Sequence, residues 1–347
     1  MRLLIITQKV DKSDSLLGFF HRWIEEFAVH SEVVHVVCLF EGEYTLPHNV
    51  FVHSLGKERK PSRWNYIKMF YTYIWKFRHE YDAVFVHMNP EYIVLGGLFW
   101  RIFKKRIALW YTHKAVNLKL RVATLFSNVV FSASQKSFNL PTQKLKVVGH
   151  GIDMELFSCR KKTVPGHSLQ VLHMGRISEI KDGKTFVRVI GILKKQLNMS
   201  VQGIFAGDAE TDKDKTYLSE LKVLVDELGL AGNIVFAGNP RFSDVPQFFF
   251  DADLVLNLAP TGGVDKAALS AIATCRPIVV SNAAFASIFD KYSERLIATH
   301  GEPEDFAKKA VSILIAKDKD ELVANLRTRI ETDYSVQQLI RSVLKEI

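Results

Sequence analysis

The sequence predicts an α/β protein built as two doubly wound domains, and three observations carry that reading. Short β-branched runs alternate with amphipathic stretches along most of the chain, the pattern that right-handed βαβ crossovers produce. The runs are near-continuous Val, Ile, Leu and Phe, as a parallel sheet buried on both faces requires. At 347 residues the chain exceeds one ordinary core and suits two domains of about 150 to 200 residues each.

In the first half, strands are expected at 3–6, 33–40, 83–87, 107–111, 129–132 and 145–148, with helices at 17–29, 64–78, 92–103 and 118–126. The second half repeats the scheme, with strands at 169–174, 201–206, 234–237, 254–258, 278–281 and 296–299. Its helices are expected at 184–197, 215–228, 245–250 and 266–274. The polar segment 159–168, with Pro165 and Gly166, reads as the linker between a first domain at 1–158 and a second at 169–332. The tail 303–347 is helical by pattern, with Pro303 where a first helical turn tolerates it. Its last part, 333–347, is expected to pack back on the first domain. No internal repeat or low-complexity tract is visible.

Hydrophobic content of 48% with 24% charged residues excludes wholesale disorder. The longest apolar run, 92–100, stops at Arg101, short of the ~18 residues that cross a bilayer. The N-terminus has no small-residue cleavage site and reads as a first strand. Cys38, Cys159 and Cys275 lie far apart in sequence, so each is expected to stand alone, which fits a reducing cytoplasm. Residues 1–150 hold 21 Lys and Arg against 11 Asp and Glu, a balance of +10; the remainder, with 25 against 26, balances at −1. The asymmetry suggests a polyanionic partner on the first half, or simply a solvated basic surface. Stretch 63–78 is apolar nearly all round, with Lys68, Thr72 and Lys76 on one stripe. It is expected to be buried between sheet and neighbour. The alternative is a helix edge dipping into a bilayer, where Arg59, Lys60, Arg63 and Lys104 to Arg106 would touch anionic headgroups. Nucleic acid is disfavoured because no recognition motif accompanies the charge.

Ligands of open α/β sheets bind beyond the carboxyl ends of the strands, so the residues after each strand carry the functional reading. Gly175 turns the chain after one strand and brings Arg176 and Lys181 toward the next helix start, a metal-free diphosphate cradle. Gly207 with Asp208, and Gly238 with Asn239 and Pro240, end the next two strands. These glycines serve either as turns or to admit a flat base. Gly262, Gly263, Val264, Asp265 and Lys266 open a helix as a second anion cradle. This is not a Walker loop, and the first βα loop lacks a Gly-x-Gly-x-x-Gly fingerprint, which counts against a dehydrogenase. His87 and Asn89 end a buried strand of the first domain and are candidates for an acceptor side. His150 is either another or an ordinary turn residue. No His, Cys and carboxylate cluster has metal-ligand spacing, and no Gly-x-Ser-x-Gly elbow occurs.

Gly175-Arg176 through Lys181, the glycine-rich loop, and Leu269-Ser270 through Pro277 to Asn282 together resemble the C-terminal half of glycosyltransferase family 4. Val148-Gly149-His150-Gly151-Ile152-Asp153, ending at Phe157, resembles that family's Asn-Gly-Val-Asp segment. More loosely, Gly18 falls where the family has its glycine-rich first loop, and Trp110 to His113 resembles its strand-end histidine segment. The resemblance implies the GT-B fold, two facing Rossmann-like domains. It also implies a retaining hexosyl transfer from a UDP- or GDP-sugar to a glycan or lipid-linked acceptor, with no cofactor and no metal. Arg176 and Lys181 would neutralise the diphosphate, His113 would approach the sugar, and Asn239 and Pro240 would line the base pocket. Cysteine usage and the basic first half, and not the resemblance, give the expected location: cytoplasmic, with peripheral attachment at the inner face of a membrane as a further option. The chain departs from the family at two glutamates eight positions apart, where it has Gly262 and Ser270. Asp265-Lys266 looks like a variant loop standing in for the first glutamate, and Ser270 cannot accept a carboxylate's bidentate bonds. Asp251-Ala252-Asp253 resembles the metal-binding Asp-x-Asp of another glycosyltransferase fold, but precedes a buried strand and reads as helix-end polarity. The missing glutamates and the charge asymmetry motivate a second reading: a catalytically idle GT-B subunit that binds a membrane or partner.

Overall fold

Parallel β-sheets organise both halves of the chain. The computed structural model describes residues 1–59, 62–160, 162, 168–260 and 262–347. These divide into two units, Met1–Gly151 with Tyr334–Ile347, and Ile152–Asp333. The first unit runs β1 (Arg2–Val10), α1 (Gly18–Val29), β2 (Val33–Glu41), β3 (Val50–Ser54), α2 (Arg63–Lys76), β4 (Ala83–His87) and α3 (Pro90–Ile102). It continues through β5 (Arg106–Trp110), α4 (Leu118–Phe126), β6 (Val129–Ser132) and β7 (Leu145–Val147). All its strands pair in parallel in the order β3-β2-β1-β4-β5-β6-β7. Alternation along β1 sends Leu3 and Ile5 to one face and Leu4 and Ile6 to the other. Phe20, Trp23 and Phe27 of α1 cover the first face; Phe70, Ile74, Ile93 and Trp100 cover the second.

The second unit comprises β8 (Ser168–Met174), α5 (Gly183–Gln196), β9 (Ser200–Ala206), α6 (Asp212–Glu227), β10 (Ile234–Phe236), α7 (Val245–Asp251), β11 (Leu254–Asn257), α8 (Lys266–Ala273) and β12 (Ile278–Val280). The helices α9 (Ala286–Phe289), α10 (Ser293–Leu296), α11 (Pro303–Leu314) and α12 (Lys319–Tyr334) follow. Its sheet is parallel, in the order β10-β9-β8-β11-β12. The last helix, α13 (Val336–Leu344), buries Val336, Leu339, Ile340 and Val343 in the first unit's core beside Trp23. Trp23 in turn donates from Nε1 to the Gly151 carbonyl at 3.4 Å.

Several expectations change here. Strand β3 was not foreseen: it is an edge strand with mixed exposure, held by backbone pairing to β2. The strand expected at 296–299 is reduced to a single bridge between Val280 and Ile297, because α10 occupies the approach to it. Residues 152–158, assigned above to the first domain, cluster with the second unit. Most of the linker proposed at 159–168 lies outside the described residues. Cys159 and Cys275 are not solitary. They form a disulfide across 116 residues, with Cα atoms 5.2 Å apart, and Cys38 is the free, buried thiol. Distance along the chain says nothing about distance in the fold, which is why the expectation failed.

Helix α2 is also not buried all round. Phe70 and Ile74 are its fully buried side chains, while Trp64 (79% exposed) and Trp75 (55%) face solvent. The sheet covers one side of the helix, and the outer side has no further layer.

Candidate functional site

In the second unit's sheet the strand order reverses between β8 and β11, so the loops after those two strands diverge and leave a crevice at their carboxyl ends. Lys181 lies on the loop after β8 and Asp265 on the loop after β11, and the two side chains form an ion pair there. Asp265 also accepts from the Asn257 amide (3.1 Å) and from the Ala267 backbone N–H (3.0 Å), capping α8. Burial works against the charge on Asp265. The Lys181 ammonium and these hydrogen bonds more than offset it and hold the carboxyl at about 2. The variant loop therefore delivers a carboxylate to Lys181 and to the α8 N-terminus together.

Two residues that sequence reasoning passed over position this pair. His173 of β8 is fully buried, and its Nε2 lies 3.0 Å from the Lys181 carbonyl. A carbonyl only accepts, so Nε2 carries the proton, and the ring ties the Lys181 loop to its strand. Burial lowers the pKa of His173 and favours this neutral form. Asn257 ends β11 and directs its amide at Asp265. The available signal was a polar residue inside each otherwise apolar run.

Arg176 leaves the same loop in another direction. It lies 3.5 Å from Glu210 and 3.9 Å from Asp214 near the start of α6, and its side chain is nearly half exposed. The two cations expected to share a diphosphate thus each have a carboxylate partner, on opposite flanks of the loop. Gly175, at φ +133°, turns the chain at the end of β8 ahead of both; a Cβ built there would come 3.8 Å from Lys181 Nζ. The helix starts are capped too: Asp182 accepts from Thr185 N–H at 3.3 Å, and Thr211 with Asp214 forms a capping box on α6.

The other donor-side candidates sort by geometry. Gly207, at φ +148°, packs against the Gly175 carbonyl so closely that any Cβ would collide with it. The approaching group is this backbone carbonyl, so at Gly207 the turn reading replaces the flat-ligand one. Gly238, at φ +72°, has open space around its Cα, and its carbonyl accepts from Gly207 N–H at 2.8 Å. Asp208 is exposed and bonds the neighbouring Ala209 N–H at 2.8 Å, while Asn239 is exposed and Pro240 half-buried beside it. Gly262 is open at φ +113°, and the Gly263 carbonyl is pinned by the Asn282 amide at 3.1 Å. Val264 is half-buried. Lys266 turns inward with its Nζ 6.0 Å from the centre of the Phe242 ring. Burial drives its pKa well down, which Asp153 partly opposes. Ser270 is buried in α8. The Asp251 and Asp253 carboxylates diverge: Gln247 donates to Asp251, whereas Lys162 and the Gln170 N–H hold Asp253.

In the first unit the corresponding crevice lies between β1 and β4. Gly18 begins α1, its N–H donating to the Asp14 carbonyl at 2.9 Å. His87 is corrected: at 1% exposure it is a core ring, stacked on Phe20 at 4.1 Å and near Thr7, so it does not line an acceptor surface. Asn89 caps α3 by position and is half-buried. His113 is exposed after β5, with Nδ1 accepting from Ala115 N–H at 3.0 Å. His150 is half-buried between Gly149 (φ +79°) and Gly151 (φ +65°), a turn setting.

Residues 168–316 match the family model described as glycosyl transferases group 1. D-inositol 3-phosphate glycosyltransferase of Paenarthrobacter aurescens (strain TC1) is 25% identical over 201 residues, 53% of this chain and 47% of that protein. The chain thus spans about half the length of the curated relative it matches. Among solved structures, Anabaena HepE in complex with UDP and glucose is 18% identical with a TM-score of 0.75, covering 99% of this chain and 98% of that one. Sucrose-phosphate synthase from Thermosynechococcus elongatus is 13% identical with a TM-score of 0.72, covering 99% and 97%. These likenesses and the two parallel-sheet units place the chain in the two-domain, Rossmann-like GT-B fold.

Proposed function

We propose that this protein is a glycosyltransferase that moves a hexose from a nucleotide sugar, a UDP- or GDP-sugar, to a glycan or lipid-linked acceptor with retention of configuration. The observation that carries this reading is the junction of Lys181 and Asp265 at the point where the second unit's strand order reverses, with Arg176 half-exposed on the same loop. The family match over residues 168–316 and the UDP and glucose held by the HepE neighbour support it.

In this reading the half-exposed Arg176 turns from Glu210 and Asp214 to join Lys181 on the donor diphosphate, whose charge grows as the glycosidic bond to the leaving phosphate breaks. Stabilisation that increases toward the transition state raises turnover and needs no metal. Asp265 holds the Lys181 ammonium in place before the donor arrives, and the three N–H donors of that ammonium allow it to serve carboxylate and phosphate together. The open space beside Gly262 lets the Gly262–Gly263 backbone meet the sugar or phosphate.

The test is a thermal-shift and transfer assay with a panel of UDP- and GDP-sugars. A nucleotide sugar is expected to raise Tm, and Arg176→Ala to remove the shift and lower transfer by about a hundredfold, the scale of losing one charged transition-state contact. EDTA is expected to leave the rate unchanged, and NMR of the product should show the donor's anomer. No shift and no transfer with any nucleotide sugar would return the chain to the reading of an idle binding subunit.

A further inference from the structure

The outer face of α2, α3 and α4 exposes large apolar side chains that no further layer covers. These helices lie side by side on one face of the first unit's sheet. The Trp75 ring of α2 sits 5.8 Å from Phe99 of α3 and 5.9 Å from Phe103, and Tyr71 donates to the Leu95 carbonyl at 2.9 Å. Helix α3 is tied to α4 where Arg101 donates to the Phe126 carbonyl at 2.8 Å, and where Lys119 pairs with Glu91 at 3.0 Å. Outward from this layer stand large apolar side chains at helical spacing. Trp64, Tyr71 and Trp75 come from α2, Leu98 (61% exposed) and Ile102 (68%) from α3, and Leu118 and Leu125 from α4. A protein that only needed solubility would carry polar residues at these positions.

Apart from Glu91, which Lys119 neutralises, the charge that α2, α3 and α4 carry is basic. From residue 92 to 150 there are ten Lys and Arg and no Asp or Glu. Among the described residues, Arg63, Lys68, Lys104 and Arg121 take part in no ion pair with a carboxylate, and Arg78 lies 4.2 Å from the centre of the Trp75 ring. Exposed tryptophan and aliphatic groups beside unpaired cations suit a surface that is apolar within and anionic at its boundary. There indole rings settle at headgroup depth, and each cation gains from the negative potential.

We propose that this three-helix face docks the protein flat on an anionic phospholipid bilayer. No helix among the described residues is long and apolar enough to cross a membrane, so the contact is interfacial. The inference goes beyond the sugar-transfer reading and stands on the first unit alone. A chain that failed every transfer assay would still dock, and one that docked nowhere could still transfer sugar.

The experiment measures binding of the full chain, without nucleotide sugar, to vesicles of phosphatidylcholine and to vesicles of an equal phosphatidylcholine and phosphatidylglycerol mixture. Binding to the mixture is expected to be tighter by about tenfold or more, and to weaken between about 0.1 M and 1 M salt as the Debye length falls from about 10 to 3 Å. The paired changes Trp64→Ala with Trp75→Ala, and Lys68→Glu with Lys104→Glu, should each weaken it by about tenfold or more. The charge-matched control Lys195→Glu with Lys317→Glu on the second unit should leave it unchanged. Circular dichroism checks that each variant remains folded. Equal affinity for both vesicles, or equal losses in the face and control variants, would overturn the proposal. So would face variants that alter the oligomeric state in sedimentation while vesicle binding persists, since the occupant would then be a second copy of the chain.

Discussion

The Lys181 ammonium sits against the Asp265 carboxylate, and each group changes what the other can do. Asp265 keeps Lys181 from leaving the crevice, while Lys181 keeps Asp265 ionised despite burial. Removing one partner strands the other, so Lys181→Met should lower stability by about 2 to 3 kcal/mol. Lys181→Met combined with Asp265→Asn should recover part of that loss in urea titrations. The pH dependence has a definite sign. The folded carboxyl lies at about 2, below the ordinary value of about 3.9, so the unfolded chain binds the proton more readily between these limits. The contribution, about 2 kcal/mol, is fully present above about pH 4 and disappears as pH falls toward 2. Urea midpoints across that window should drop less steeply in Asp265→Asn than in the parent.

At the scale of elements, the helices and most strands were legible because each stretch repeats the period of its own secondary structure. Both α4 and β4 begin and end where their apolar patterns do, at Leu118–Phe126 and Ala83–His87. Edge strand β3 was hidden because an edge depends on backbone pairing with β2 more than on buried side chains. The half-exposed α2 was misread because a helical wheel shows which residues are apolar but not whether a layer lies outside them. The connection between Cys159 and Cys275 belongs to this scale, since it ties the chain before β8 to the turn between α8 and β12. Denatured without reductant, the protein should titrate one thiol, that of Cys38, and three after reduction. Closing a loop of 116 residues is expected to add about 2 to 4 kcal/mol, so reduction should shift the unfolding midpoint down.

For the whole molecule, the chain's end completes the fold of its beginning. Four α13 side chains, Val336, Leu339, Ile340 and Val343, fill the core beside Trp23 and the α1 aromatics. Each fully buried aliphatic group contributes about 1.5 to 3 kcal/mol, so their sum matches the entire stability of an ordinary domain. Truncation after Tyr334 should therefore leave the first unit unfolded or insoluble, and Leu339→Ala alone should cost about 2 to 5 kcal/mol in thermal or urea unfolding.

The sequence by itself determined the fold class, the alternation of strands and helices, the glycine-bearing loops after β8 and β11, and the basic character of the first half. Those properties are local, written in periodicity, glycine placement and charge. The tertiary structure alone decided that Asp265 answers Lys181, that His173 and Asn257 position the pair, that Gly207 makes room for a carbonyl, and that His87 is core. It also decided that two distant cysteines meet and that the aromatic side chains of α2 face solvent. Each of these depends on which residues the crossovers bring together in space, and contact across a sheet leaves no mark in the spacing of a single chain.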